Sequence, residues 1–176
     1  MSKFVPYGPF EMPVDGAQID RTRENEFWNN VRLQHPGLPK AVGCYIFAIR
    51  AGRGIKPWYV GKTERLGFQG ESWQPHKLLH YQGVLAKRER GTPLLHFLAK
   101  YTKSGKKFAR PTTNELRSVR TLEKMLMAAC LRRNGNLCNK SGKRPLQIEV
   151  PGFMNESPGQ RTREARDLAQ LLGVTK

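Results

Sequence analysis

The chain has 176 residues, enough for one domain with a real core and too few for two of ordinary size. Its 31 Lys+Arg against 14 Asp+Glu give a formal net charge of +17, so a compact fold repels itself and its partner is expected to be a polyanion. No apolar run is long enough to span a bilayer, and the basic residues are scattered rather than set opposite an apolar helix face, which argues against a membrane and for nucleic acid.

The amino terminus lacks a charged-then-apolar signal pattern. Cys44, Cys130 and Cys138 have no C-x-x-C spacing, so they read as reduced thiols of a cytoplasmic protein and not as a zinc site.

Residues 1–17, with Pro6, Gly8, Pro9, Pro13 and Gly16, read as an extended arm. A helix is expected over 18–33, burying Ile19, Phe27, Trp28 and Val31, and it stops before Pro36, Gly37 and Pro39. From Val42 the residues alternate, with Tyr45, Phe47 and Ile49 on one side and Cys44, Ile46 and Ala48 on the other. That period of two predicts a strand. A short Gly/Pro connection leads to a second strand over 58–62, most simply an antiparallel hairpin. Tyr45 and Tyr59 then share a face, while Gly43 and Gly61 mark a bulge or a close approach.

Gly67 and Gly70 weaken any helix after Lys62, whereas Pro75 suits the first turn of a helix reaching toward Lys87. Residues 94–101 read as a third strand. The clearest helix covers 111–134, with a Thr112/Glu115 capping box and Gly135 placed for a left-handed exit. Its expected buried stripe is Leu116, Val119, Leu122, Leu126, Ala129 and Cys130. Glu123 interrupts that stripe, either bridging to Arg120 or Lys124 or serving as a cation ligand aimed at the hairpin. A strand is expected over 146–150, a loop over 151–159, and a helix over 162–172 with Ala165, Leu168, Leu171 and Leu172 inward. The divisions are an arm and helix over 1–40, a core over 41–140 and an extension over 141–176, all in one compact domain.

Gly43-Cys44-Tyr45 followed by Tyr59-Val60-Gly61-Lys62 resembles the two half-motifs of the GIY-YIG nuclease superfamily. Glu123 within a later helix and Asn139 sixteen residues beyond it come in the family's order. The resemblance covers roughly residues 41–140. It implies an α/β fold of the α+β type, a small, mainly antiparallel three-stranded sheet flanked by helices, and an endonuclease that hydrolyses DNA phosphodiesters. It further implies Tyr45 as general base, Tyr59 orienting water or phosphate, Glu123 holding a single Mg²⁺ or Mn²⁺, and Asn139 fixing the segment after the helix. Lys62 is then a positive charge near the phenols.

One departure stands out. The family's catalytic arginine position, ten residues after Tyr59, holds Gln69; Arg65, His76 and Lys77 are nearby substitutes. A lost charged donor costs about a hundredfold or more in rate, so a scaffold that binds DNA or RNA without efficient cutting is the alternative. Phosphate contacts are expected from Arg65, Lys87, Arg88, Lys106, Lys107, Arg117 and Arg120, to DNA in preference to RNA. His76 and His80 read as helix surface. The flanking segments are expected either to grip substrate or to pair two copies of the chain.

Overall fold

A computed structural model of the protein describes residues 2–52, 54–87, 91–139, 150–151, 159–160 and 162–172. The chain divides into two compact units, Met1–Cys138 and Asn139–Lys176. The strand expected over 146–150, apart from Val150, and most of the loop expected over 151–159 lie outside the described residues.

The mixed α+β class is as expected: helices flank an antiparallel sheet. The hairpin forms from β4 (Gly43–Ala51) and β5 (Gly54–Thr63), and the third predicted strand is β6 (Thr92–Lys100). The sheet nevertheless has four strands, because residues expected as a free arm supply β1 (Phe4–Glu11) in the order β1-β6-β4-β5. Pro6 and Pro9 are tolerated because β1 is an edge strand, and the register shifts between Tyr7 and Phe10. Burial of Phe10 and Met12 joins this segment to the core. A two-residue ladder, β2 (Val14–Asp15) with β3 (Gln18–Ile19), occupies the start of the expected first helix. The helix itself, α1 (Glu24–Gln34), buries Phe27, Trp28 and Val31 as the spacing requires.

One sheet face carries Tyr45, Phe47 and Ile49 of β4 with Leu95, Phe97 and Ala99 of β6, and they pack with Trp28, Phe68 and Tyr81. Each large apolar side chain sealed there contributes about 2–3 kcal/mol. The glycine-bearing stretch after Lys62 does form a short helix, α2 (Gly67–Ser72). Tertiary contacts override its propensity: Phe68 is fully buried, and its N–H donates to the Ala41 carbonyl at 3.0 Å. Pro75 opens α3 (Pro75–Ala86) as expected.

The opposite face carries Ile46 and Val60 against α4 (Arg117–Arg133), through Leu126, Met127, Cys130 and Leu131. Helix α4 runs antiparallel to β5: Lys62 meets Glu123, and Pro57 meets Asn134. Five strand residues and eleven helix residues each span about 17 Å, so the two elements stay in step.

Its start and stripe differ from expectation. The helix begins at Arg117, and Thr112 and Glu115 form no capping box; the Thr112 hydroxyl accepts from Asn114 N–H while Glu115 pairs with Arg120. A carboxylate just beyond β5 takes over that role, because Glu64 accepts the Leu116 N–H at 2.6 Å. Ala129 is exposed and Met127 and Leu131 are buried instead, since the sheet lies closer to their side of the helix. Asn134 leaves the helix in an extended conformation rather than through a left-handed glycine, because its side-chain amide is tied to the Pro57 carbonyl at 2.7 Å.

In the second unit, α5 (Arg163–Leu171) is capped by Thr162, whose hydroxyl accepts the Ala165 N–H at 3.2 Å. It buries Ala165 and Ala169, while Leu171 and Leu172, expected inward, are exposed where the last turn runs past that stripe.

Candidate nucleic-acid interface

Gly43 and Gly61 sit where another group comes too close for a side chain. A Cβ at Gly43 would lie 2.1 Å from the Leu98 carbonyl oxygen, and one at Gly61 would lie 2.3 Å from Cζ of Tyr45. The room at Gly61 is therefore filled by the Tyr45 ring. Tyr45 and Tyr59 share a face as predicted, their ring centroids 6.2 Å apart and stacked.

Their surroundings do not suit the expected roles. Tyr45 has no solvent exposure, and its hydroxyl, like that of Tyr81, has no hydrogen-bond partner of ordinary geometry among the described residues. Burial first, then the adjoining phenols of Tyr81 and Tyr59 and the Glu71 carboxylate, pushes Tyr45 well above the usual tyrosine range. A general base needs an accessible, easily ionised oxygen, and Tyr45 offers neither. Tyr59 lies nearer the surface. Its hydroxyl takes a hydrogen bond from Lys77 Nζ at 2.8 Å, Lys77 lies 3.5 Å from Glu71, and the phenol ring stacks on His80. Burial works against the Lys77 charge, yet Tyr59 and Glu71 more than offset it and leave its pKa raised. His76 is exposed as expected, whereas His80 is half-buried against the ring.

Lys62 and Glu123 are on the other face. Residues 59 and 61 point one way along β5 and 60 and 62 the other, so Lys62 projects toward α4, where its Nζ lies 3.3 Å from Glu123 Oε2. The Cys44 thiol marks the same side: it donates to the Val119 carbonyl, and burial followed by the Glu123 carboxylate pushes it up to about 12. Glu123 thus joins Lys62 and not the two phenols. It also forms neither of the helix bridges weighed for it, to Arg120 or to Lys124, since Arg120 is held by Glu64 and Glu115.

Nor do these residues fit a divalent ion as they stand. Lys62 already balances the one carboxylate expected to hold it, and among the described residues no group of three His, Cys, Asp or Glu converges on a point. Gln69 is half-buried in α2, well apart in sequence from the Lys77 that does reach a phenol.

The expected phosphate contacts gather better. Glu64, which the sequence reading passed over, is the organiser. Its carbonyl accepts the Thr112 N–H at 2.9 Å, and its carboxylate holds the Leu116 N–H and, at 3.3 Å, Arg120 Nε. Exposed Arg65 and Arg117 are the next residues after Glu64 and Leu116, the two that this bond joins. Lys100 Nζ bonds Ser118 Oγ at 3.0 Å, adding the end of β6. Lys106 and Lys107 are exposed on the turn beyond β6, and Lys87 is exposed after α3. Arg88 lies outside the described residues.

Known protein families, curated proteins and solved structures offer no match to this chain. Among the described residues no helix is long and apolar enough to cross a membrane. The sequence reading also missed Asn134, which ties the end of α4 to β5 and offers its Oδ1 to the Asn136 N–H. Asn139, expected to fix the segment after the helix, is buried. The one signal for Asn134 was its place just after a basic helix end.

Proposed function

We propose that the protein binds nucleic acid, DNA in preference to RNA, by gripping phosphates along the seam between β5 and α4, on a GIY-YIG-like scaffold without efficient catalysis. The observation that carries this reading is Glu64, which pins the start of α4 and Arg120 to the end of the hairpin, with exposed Arg65 and Arg117 each one residue from the bonded pair Glu64 and Leu116. Cations held by a rigid element neutralise phosphates at little ordering cost, and counterion release adds affinity. Tyr45, sealed and hard to ionise, supplies packing.

A second reading, metal-assisted hydrolysis of DNA phosphodiesters, draws on one observation. The Lys62 and Glu123 side chains keep 30% and 22% exposure on the same seam, within reach of a bound phosphate. A plasmid-nicking assay with Mg²⁺ or Mn²⁺, run beside a gel shift, separates the two. Binding without cutting is the expected result. Cutting that Glu123→Ala and Tyr45→Phe each abolish, with binding intact, would install the hydrolase instead.

A further inference from the structure

The seam has a second end. In the register of β4 with β5, Phe47 faces Tyr59 and Ala48 faces Pro57, so Trp58 is the extra residue of a β-bulge. Bulges re-aim side chains. Here the half-buried Trp58 lines a recess of about 370 Å³ whose other walls include Ile49, Ile55, Pro57, Lys56 and Arg133. That volume is at the small end of ligand-binding clefts. Lys56 Nζ lies 5.3 Å from the centre of the Trp58 ring, and Arg133 closes the side given by α4.

The arrangement joins a large aromatic surface, aliphatic walls and two cations, with no acidic residue in the lining among the described residues. In a chain of net charge +17 that combination suits a flat, apolar-faced group carried on an anionic backbone. We propose that this recess holds an unpaired base of single-stranded nucleic acid, stacked against Trp58, with Lys56 and Arg133 on the flanking phosphates. The inference rests on the phosphate-gripping reading of the seam. It adds that the strand runs from the arginines around Glu64 to the hairpin end of β5, about 20 Å for six strand residues, and that its bases take part.

The test uses the full chain with two probes, a short oligothymidylate and an abasic phosphodiester oligomer of equal length. Trp28 and Trp73 are buried in the core, 0% and 3% exposed, which leaves Trp58 as the emitter open to a ligand. The oligothymidylate should bind about tenfold tighter than the abasic oligomer, and it alone should quench tryptophan emission. Trp58→Leu should erase the difference. Should that variant fail to fold, Trp58→Phe serves: quenching should vanish while the preference for bases largely remains. Equal affinity for both oligomers, or quenching that persists in Trp58→Phe, overturns the stacking site and leaves the phosphate reading standing. If neither oligomer binds, both readings fall.

Discussion

On one face of the sheet the phenols of Tyr45 and Tyr81 are sealed among Phe47, Phe68 and Phe97; on the other, Lys62, Glu123 and Arg120 stay partly open to solvent. Each set is built on the same hairpin, through Tyr45 and Phe47 on one face and Lys62 on the other. Strand alternation alone divides them. A tyrosine and a lysine three positions apart on one strand face opposite ways, so motif proximity becomes separation across a sheet. The aromatic face is for stability, and the charged face is where function is proposed.

The largest expected effect sharpens the aromatic face. Gly43→Ala places a methyl on the Leu98 carbonyl, at a backbone φ of +154° that disfavours side chains. A loss of about 3 kcal/mol or more is expected in denaturant unfolding. Gly61→Ala, which strikes the Tyr45 ring, should cost about 2 kcal/mol. A neutral result at both positions would mean that the hairpin packs differently.

Alkaline stability comes next. Folding raises Tyr7 and Cys44 to about 12 and Cys130 to about 11, in each case with burial as the leading cause, and raises Tyr45 and Tyr81 well above their ordinary values. The folded state therefore holds protons that the unfolded chain releases at lower pH. Stability should be full below about pH 8.5 and fall steadily as pH climbs past the unfolded cysteine and tyrosine values. Denaturant midpoints measured from pH 7 to 11 check the sign; a rise with pH would contradict the burial of these groups.

The charged face gives smaller numbers. Glu64→Ala strips the Leu116 N–H of its acceptor and should cost about 1–2 kcal/mol, with weaker DNA binding as the arginines lose their frame. Glu123→Ala breaks a pair whose side chains keep 30% and 22% exposure and should cost about 1 kcal/mol. Tyr45→Phe is the smallest. Removing an unbonded buried hydroxyl should leave stability within about 1 kcal/mol and DNA binding unchanged.

These contrasts follow what the sequence could convey. The alternation from Val42 and the apolar residues of β6 made the hairpin, the third strand and the shared face of Tyr45 and Tyr59 legible, because period and face are local properties. The pairing of β1 with β6 was hidden, since prolines lower strand propensity and only an edge position makes them harmless. Glu64 was equally hidden: its meaning depends on a helix start 52 residues away. The Thr112 and Glu115 spacing pointed to a cap that a distant carboxylate displaced. The place of Glu123 on an inward-turned part of α4 was readable, but which strand residue it would meet was a matter of register.

The central claim is that phosphates bind where Arg65 and Arg117 flank Glu64. Its most direct test is the salt dependence of DNA affinity for the wild type and for Arg65→Ser/Arg117→Ser. The log–log slope should become shallower by about two, one for each lost phosphate contact, with folding unchanged. A slope identical to the wild type would place the nucleic acid elsewhere and contradict the account.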